Sequence, residues 1–216
     1  MDGLNLLFMQ NPVQFLSGNI WDINSTGING VGIPKYNLDQ DGIGSFDLYR
    51  AGNPNTVILR DSSEYGFIQQ SFTDFFTERF IKAYYLNAVA DKLKSLVLGD
   101  KADYFFTDTI QGCSFFVLGN NRHNAIAQHM NALYNPPLTL RNAEQAVLNS
   151  PTPLRISYGT PDYQQGGLNA GELGSSVVVT VFGWRRADGW HFYRRRRINN
   201  HAPLQARALD AAPVEL

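Results

Sequence analysis

The side chains best suited to chemistry in this sequence are one cysteine and one histidine. Cys113 is the only cysteine among 216 residues, and it directly follows Gly112 at the start of an apolar run. A thiolate attacks carbonyl carbon, and an imidazole such as that of His129 can supply the thiolate and protonate the leaving group. The alternatives for a lone thiol are a buried filler or a regulatory group, because free cysteine is among the most buried residue types.

A predicted hairpin brings the two side chains together. A turn at Gly119–Arg122 predicts two antiparallel strands that contain both residues. With a three-residue loop Cys113 faces His129 directly, and with a four-residue loop Gly112 faces it and the thiol lies on the diagonal. Either register places imidazole near thiol, since opposed Cβ atoms lie about 4.5–5.5 Å apart. His123 at the turn lies roughly 20 Å from the thiol and is excluded as its partner.

The neighbours of the thiol suggest how a substrate would be held. Gly112 leaves room for a substrate to approach, and backbone N–H groups there and at Ser114 are suited to an oxyanion. A third group should orient the imidazole, and Thr107, Asp108 and Asn131 are all close in sequence. The residue types alone do not choose among these three. A structural alternative for the histidine is a strand residue bonded to a backbone carbonyl.

The surrounding elements can be predicted from periodicity and turn signals. Ser71–Leu98 contains no glycine or proline, and its apolar spacing after a capping-box pattern predicts one long helix, with a break near Tyr84. Short apolar segments bounded by turn formers predict strands, and a second short helix follows the site. These segments are the strands Ser45–Tyr49, Thr56–Arg60, Asp103–Thr107, Ser114–Leu118 and Ala125–His129, the helix Leu140–Leu148, and a hairpin of Ser175–Trp184 with Trp190–Ile198 turning at Asp188–Gly189.

This order of elements predicts the α+β class, because strands and helices do not alternate regularly. We expect one catalytic domain over residues 1–200. The segment 201–216 holds two prolines and five alanines and is predicted to be a loosely attached tail.

Composition narrows the function classes. A net charge of −1 gives no overall field for nucleic acid or an anionic membrane, so nucleic acid is not an expected partner. The sequence has no run of about 18 apolar residues, so no membrane span is predicted, and no cleavable signal peptide is evident. The sequence shows no metal-ligand spacing and no cofactor fingerprint, so no metal or cofactor is expected.

Four consecutive arginines form the second feature of interest. In a strand, alternate side chains point to opposite faces, so Arg194 and Arg196 share one face. The functional interpretation is a docking site for an acidic partner or RNA. The structural alternative, which we favour, is a solvated sheet edge protected by charge.

The residues around the thiol resemble a known superfamily. The segment Phe105-Phe106-Thr107, three further residues, Gln111-Gly112-Cys113 and a histidine ending the next hairpin are similar to the lethal factor of Burkholderia. That superfamily also includes the cytotoxic necrotizing factor catalytic domain and the chemoreceptor deamidase CheD, to whose histidine region Ile126–Met130 is similar. The resemblance covers about 30 residues. It departs where relatives have Leu-Ser-Gly-Cys and this chain has Ile110-Gln111-Gly112-Cys113.

The resemblance implies a fold, an activity and a setting. The fold is a two-layer α/β sandwich with a mainly antiparallel, mixed sheet and flanking helices. The activity is deamidation of a glutamine side chain in a target protein, with Cys113 as nucleophile, His129 as base and Thr107 orienting the imidazole. The setting is a bacterial toxin or injected effector that is secreted and acts in the target-cell cytosol. The alternatives are a peptidase or transglutaminase, or a non-catalytic binding module that uses the basic hairpin.

Overall fold

The computed structural model describes residues 3–22, 36–50, 56–61, 80–131, 138–159, 162, 176–199 and 207–216. The helices in these ranges are α1 (Leu4–Gln10), α2 (Pro12–Gly18) and α3 (Leu138–Leu148). The strands are β1 (Ile20–Asp22), β2 (Ile43–Arg50), β3 (Thr56–Asp61), β4 (Ile81–Leu86), β5 (Lys92–Leu98), β6 (Tyr104–Thr107), β7 (Ser114–Asn121), β8 (Asn124–Asn131), β9 (Leu154–Tyr158), β10 (Ser176–Arg186), β11 (Gly189–Asn199), β12 (Arg207–Ala208) and β13 (Val214–Glu215).

The described strands form two sheets. The larger is mixed, with the order β1-β3-β2-β4-β6-β10-β11-β12 and with β13 also paired to β11. Its parallel pairs are β1 with β3 and β4 with β6. The smaller sheet is antiparallel, in the order β5-β8-β7-β9. The α+β class is therefore confirmed, with a strand content higher than predicted because the long helix is not formed where the structure describes it.

The two sheets share an apolar core. Phe105 on β6 and Phe192 on β11 each bring their ring centroid within 6 Å of Phe115 on β7, at 5.9 Å in both cases. Valines of β10 and alanines of β8 fill the same cluster. Burial of large aromatic side chains is the main stabilising contribution here, at about 25 cal/mol for each Å² of apolar surface removed from water.

The helices cover the outer faces of the two sheets. Phe8 of α1 and Leu16 of α2 pack with Phe106 and other side chains on the far face of the larger sheet. On the smaller sheet, Leu140 and Val147 of α3 pack against a separate cluster that belongs to β7 and β8. Among the described residues, no helix has the length and apolar character needed to cross a membrane.

The predicted long helix is wrong over its described part, residues 80–98. This part forms β4 and β5. From Ala83 to Leu86 the strand β4 is buried on both faces, because Tyr84 belongs to the core between the sheets and Tyr85 packs under the helices. Asp91 adopts a φ of 53°, a left-handed conformation that reverses the chain between the two strands. A strand buried on both faces reads as a continuous apolar run, which mimics a buried helix. The first part of the prediction, 71–79, lies outside the described residues.

The predicted hairpins are confirmed, with shifted turns. The β7–β8 turn consists of two residues, Arg122 and His123, and Asn120 forms a bulge beside it. The β10–β11 turn lies at Ala187–Asp188, one residue earlier than expected, so that Arg186 pairs with Gly189. The strands β1, β9, β12 and β13 were not predicted. The segments that were predicted as strands, and the helix α3, lie within three residues of their predicted bounds.

The loosely attached tail is wrong for its described part, residues 207–216. Both β12 and β13 pair with β11, and the main-chain N–H groups of Leu209 and Leu216 donate to carbonyls of β11 at 2.9 Å. His191 on β11 lies between the carboxylates of Asp188 and Glu215, at 2.8 and 2.7 Å. Prolines and alanines predicted a weak tail, but Asp210 in this segment binds the cations Arg194 and Arg196 of the neighbouring strand.

Candidate active site

The side chain of Thr107 bonds directly to the candidate base. Its hydroxyl donates to the carbonyl of Leu86 at 2.8 Å, and its oxygen lies 2.8 Å from Nδ1 of His129. A hydroxyl has one proton, so the oxygen must accept the second bond and Nδ1 must carry the hydrogen. This contact therefore fixes the tautomer of His129, with the lone pair on Nε2.

The imidazole of His129 is a buried neutral base. The residue is fully buried, and Nε2 has no hydrogen-bond partner among the described residues. Burial lowers the pKa of His129 to about 4, and the charge of Asp108 opposes that shift only in part. At neutral pH the ring is therefore uncharged and ready to accept a proton at Nε2.

The loop between β6 and β7 carries the thiol. Ile110 pins this loop to β10 through two main-chain hydrogen bonds with Val179, at 2.8 and 2.9 Å. Gly112 has a φ of 74°, and a Cβ placed there would meet nothing within 4 Å. The positive φ favours glycine at this position, because other residues rarely adopt that backbone conformation. The lack of contacts around the Cβ position shows that open space lies beside this exposed residue. The next residue, Cys113, is 5% exposed and its thiol donates to the carbonyl of Gln111 at 3.6 Å.

The register of the hairpin is neither of the two predicted ones. Phe115 faces His129 and Ser114 faces Met130. The two-residue turn and the bulge shift the pairing by two residues relative to the direct alignment of Cys113 with His129. An even shift keeps the same face, so Cys113, Phe115 and His129 all point between the sheets. The thiol and the imidazole thus lie on a diagonal, at a separation of about 7–8 Å for such positions in a regular pair.

The resting thiol is protonated. Burial raises the pKa of Cys113 to about 11, and the charge of Asp108 acts in the same direction. A thiolate available at neutral pH through the neighbouring imidazole was the sequence-based expectation, and the structure contradicts it. The reason is that both groups lie away from water, where each is more stable in its uncharged form.

The other two candidates for orienting the imidazole have different positions. The carboxylate of Asp108 accepts hydrogen bonds from the hydroxyl of Tyr85 and the main-chain N–H of Ala88, both at 2.5 Å. Asn131 lies two residues after His129 on β8 and shares its face. Its Oδ1 is buried and has no hydrogen-bond partner among the described residues. Of the three candidates, only Thr107 bonds to Nδ1.

The side chain of Ser114 does not lie at the thiol. It points to the opposite face of the smaller sheet, where its hydroxyl donates to Glu144 of α3 at 3.3 Å. Neighbouring strand residues alternate between faces, so this hydroxyl is directed away from the thiol. The expected role of Ser114 in holding an oxyanion concerned its main-chain N–H and stays a prediction.

The basic patch is neutralised inside the protein. Arg194 donates to the buried carboxylate of Asp210 at 2.6 Å, and Arg196 donates to it through both Nε and Nη2, at 3.0 and 2.9 Å. Their side chains are only 18% and 16% exposed. These bonds contradict the predicted docking of an acidic partner at the two arginines. The predicted solvated sheet edge is also wrong, because β12 and β13 cover β11. The alternation itself is confirmed, since Arg195 on the other face donates to carbonyls of Ser17 and Asn19.

Two lysines that lie across the strand pair from the site residues were not predicted from the sequence. Lys94 pairs with His129 and Lys92 with Asn131 across β5 and β8, so both share the face of the imidazole. They were hidden by the helix prediction for this segment. The alternation of lysines with apolar residues from Lys92 onward was the available signal.

The chain matches no protein-family model, and no curated protein matches it significantly.

Proposed function

We propose that this protein is a cysteine-dependent amidohydrolase that converts a glutamine side chain of a target protein to glutamate. The observation that carries the proposal is the hydrogen bond from Nδ1 of His129 to Thr107. It leaves the lone pair of a buried, neutral imidazole on Nε2, on the same face as Cys113. A nucleophile, a base and a group that orients the base are the parts that covalent amide hydrolysis needs.

The proposed reaction begins with both groups uncharged. Nε2 of His129 takes the thiol proton of Cys113 while sulfur attacks the carboxamide carbon and a carbon–sulfur bond forms. The imidazolium then gives that proton to the amide nitrogen, the carbon–nitrogen bond breaks and ammonia leaves. Nε2 next takes a proton from water, whose oxygen attacks the thioester. The carbon–sulfur bond breaks and sulfur regains a proton, so the net change is amide plus water to carboxylic acid plus ammonia.

Approach of the substrate is proposed from the side of Gly112. This residue is exposed and has open space where a side chain would be. Backbone N–H groups of the same loop would stabilise the oxyanion, which is worth about 3–4 kcal/mol for a well-placed donor. Because Cys113 and His129 are nearly enclosed, the mobile glutamine side chain must reach in from this side.

The wider setting rests on the resemblance of residues 105–130 to the glutamine-deamidating superfamily. We extend the proposal to a secreted or injected bacterial toxin or effector that acts on a protein in the target-cell cytosol. The two-layer sandwich of that superfamily belongs to the same proposal. It is supported by the core between the two sheets and by the helices on their outer faces.

The direct test is a mass measurement on candidate target proteins. Incubation with the wild-type chain should add about 1 Da at a glutamine, as an amide becomes a carboxyl group. The variants Cys113→Ala and His129→Gln should leave the target unchanged. Cleavage of the target backbone would instead identify a peptidase, and cross-linking to an amine would identify a transglutaminase. If no target changes in a Cys113-dependent way, the deamidase proposal fails.

A second candidate is a non-catalytic protein in which the thiol is part of the core. Its support is that Cys113 is 5% exposed and that burial raises its pKa to about 11. Iodoacetamide separates the two candidates at pH 7. Labelling of native Cys113 that slows markedly in His129→Gln supports the enzyme, and slow labelling that is equal in both chains supports the structural thiol.

A further inference from the structure

Two buried acceptor atoms on β8 have no hydrogen-bond partners among the described residues. They are Nε2 of His129 and Oδ1 of Asn131, on residues two apart and hence on the same strand face. Each buried acceptor that stays unpaired costs about 1–3 kcal/mol. Folded proteins pair most such atoms, so a substrate group that donates to both of them would remove this cost.

The register of β7 and β8, continued by one residue, brings Asn131 next to the thiol. The last pair is Ser114 with Met130, and Cys113 directly precedes β7, so the same antiparallel register extended by one step aligns Cys113 with Asn131. The side chain of Asn131 is therefore nearer in register to the thiol than that of His129 is. Any group whose carbon is attacked by the sulfur of Cys113 would present its substituents to these two acceptors.

We infer that Asn131 is a positioning residue that selects a primary carboxamide. Its Oδ1 accepts a hydrogen bond from one N–H of the substrate's amide nitrogen. This inference deepens the proposed amidohydrolase function and rests on it. After attack by sulfur, the amide nitrogen of a primary carboxamide has two N–H groups of its own, and the imidazolium of His129 donates a proton to its lone pair.

The same arrangement disfavours an ester or a tertiary amide, because neither has an N–H at the leaving atom and each would leave Oδ1 of Asn131 buried without a donor. A peptide nitrogen keeps one N–H but carries carbon in place of the other. It can therefore donate to Oδ1 in only one orientation of the leaving group, whereas a primary carboxamide can do so with either N–H. Sites that hydrogen-bond a polar substrate group discriminate strongly against analogues that lack it. Asn131 would therefore direct a general thiol mechanism toward release of ammonia.

A matched control lies on the opposite face of the same strand. Oδ1 of Asn131 and Oε1 of Gln128 are both buried carboxamide oxygens without partners among the described residues, but Nε2 of Gln128 donates to Ser95 at 3.0 Å. Gln128 faces Phe116, on the side covered by α3, and does not share a face with Cys113. Substitution of Gln128 removes the same chemical group without changing the surroundings of the thiol.

The test compares two alkylating reagents, iodoacetamide and its N,N-dimethyl derivative, on the full-length native chain. Each rate at Cys113 is divided by the rate of the same reagent with glutathione, which removes intrinsic reactivity. In the wild-type chain we expect the primary amide to be preferred by about tenfold, the effect of one hydrogen bond at the upper end of the usual range. The preference should vanish in Asn131→Leu and persist in Asn131→Asp, which keeps an acceptor oxygen, and in Gln128→Leu.

The outcomes separate this inference from the proposed function. Equal corrected rates in the wild-type chain, or a preference that survives in Asn131→Leu, overturn the role of Asn131. The latter result would mean that the dimethyl group is excluded by its size. Cys113-dependent deamidation of a target would still support the amidohydrolase in either case. Resistance of native Cys113 to both reagents would overturn the two proposals together.

Discussion

At the scale of single residues, one hydroxyl proton determines the chemistry of the site. The hydroxyl of Thr107 uses its only hydrogen on Leu86, so its oxygen can only accept from Nδ1 of His129. A cysteine or valine of similar size at position 107 would fill the space without making this bond. The orientation of the base is thus set by a neutral group, which avoids a second charge in a buried site.

Removal of that hydroxyl should separate orientation from packing. In Thr107→Val, Nδ1–H of His129 loses its acceptor, and we expect the free energy of unfolding to fall by about 1–3 kcal/mol. Alkylation of Cys113 at pH 7 should slow, because the imidazole is no longer held in one tautomer. Denaturant unfolding and reagent kinetics measure the two effects. Thr107→Ser keeps the hydroxyl and should retain most of the reactivity; equal loss in both variants would argue against the tautomer role.

The buried imidazole should make stability depend on pH. The pKa of His129 is lowered to about 4 from 6.5, so below pH 6.5 the unfolded chain binds a proton that the folded chain does not. Stability is therefore fully present above pH 6.5 and should fall by up to about 3 kcal/mol as the pH drops through 4. Urea unfolding between pH 7 and pH 4 tests this. In His129→Gln the slope over that range should be smaller, and an unchanged slope would contradict the assignment.

Residue types and spacing indicated Cys113 and His129 as a candidate pair, and the family resemblance added Thr107, whose contact with His129 the structure shows. Residue types and spacing were not sufficient for the ionisation states. A pKa depends on burial, and burial of the thiol arises from Ile110 pinned to β10 and from Phe115 beneath the other sheet. Neither contact is visible in the local sequence.

At the scale of elements, the face of the hairpin on which a side chain lies was easier to predict than the exact pairing of the strands. The turn and the bulge at Asn120 moved the pairing by two residues, yet Cys113 and His129 stayed on one face because the period of a strand is two. The helix prediction failed for the complementary reason. A strand with both faces buried has no alternation, and β4 around Tyr84 therefore looked helical from its sequence.

The attachment of the tail is an element-scale property that can be tested at Asp210. Burial alone would raise the pKa of this carboxyl, but hydrogen bonds from the side chain and main chain of Arg196 outweigh it and the pKa is lowered. In Asp210→Ala the cations Arg194 and Arg196 lose their shared anion, and we expect unfolding to become easier by about 2 kcal/mol. The segment after residue 206 should also be cleaved faster by a protease.

A charge-neutral control separates these effects. Asp210→Asn keeps the size and some hydrogen bonds, so its loss of stability should be smaller than that of Asp210→Ala. Because the pKa of Asp210 is lowered on folding, its contribution is present above the usual carboxyl pKa of 3.8 and is lost as the pH falls below it. Equal protease resistance in both variants and the wild type would show that the strands β12 and β13 hold the tail by themselves.

At the scale of the whole molecule, the site exists only where the two sheets meet. Thr107 ends a strand of the larger sheet and His129 belongs to the smaller one, so their hydrogen bond crosses the core. The sequence placed both residues near each other through a hairpin and a short loop. It could not show that they belong to different sheets, since that depends on long-range pairing of β4, β6 and β10.

Loosening of the core between the sheets should therefore expose the thiol. Phe192 contacts Phe105 and Phe115 in that core, whereas Phe182 lies on the outer face of the larger sheet and stacks on Tyr193. Either change to leucine should cost about 1–2 kcal/mol of stability. Only Phe192→Leu should speed alkylation of Cys113, by roughly tenfold if opening of the site becomes easier by about 1.4 kcal/mol. Equal acceleration by Phe182→Leu would mean that the thiol reacts through global unfolding.

The covering of β11 by the tail has a consequence for solubility. This strand has 11 residues, and on the side away from β10 the carbonyls of Phe192 and Arg196 accept from Leu216 and Leu209. A chain shortened at residue 206 would present that side as a long, regular edge with unpaired main-chain groups. Such edges pair with one another between molecules and lead to aggregation. The last ten residues therefore prevent edge-to-edge pairing between molecules. We expect their removal to be visible first as turbidity in a concentrated solution.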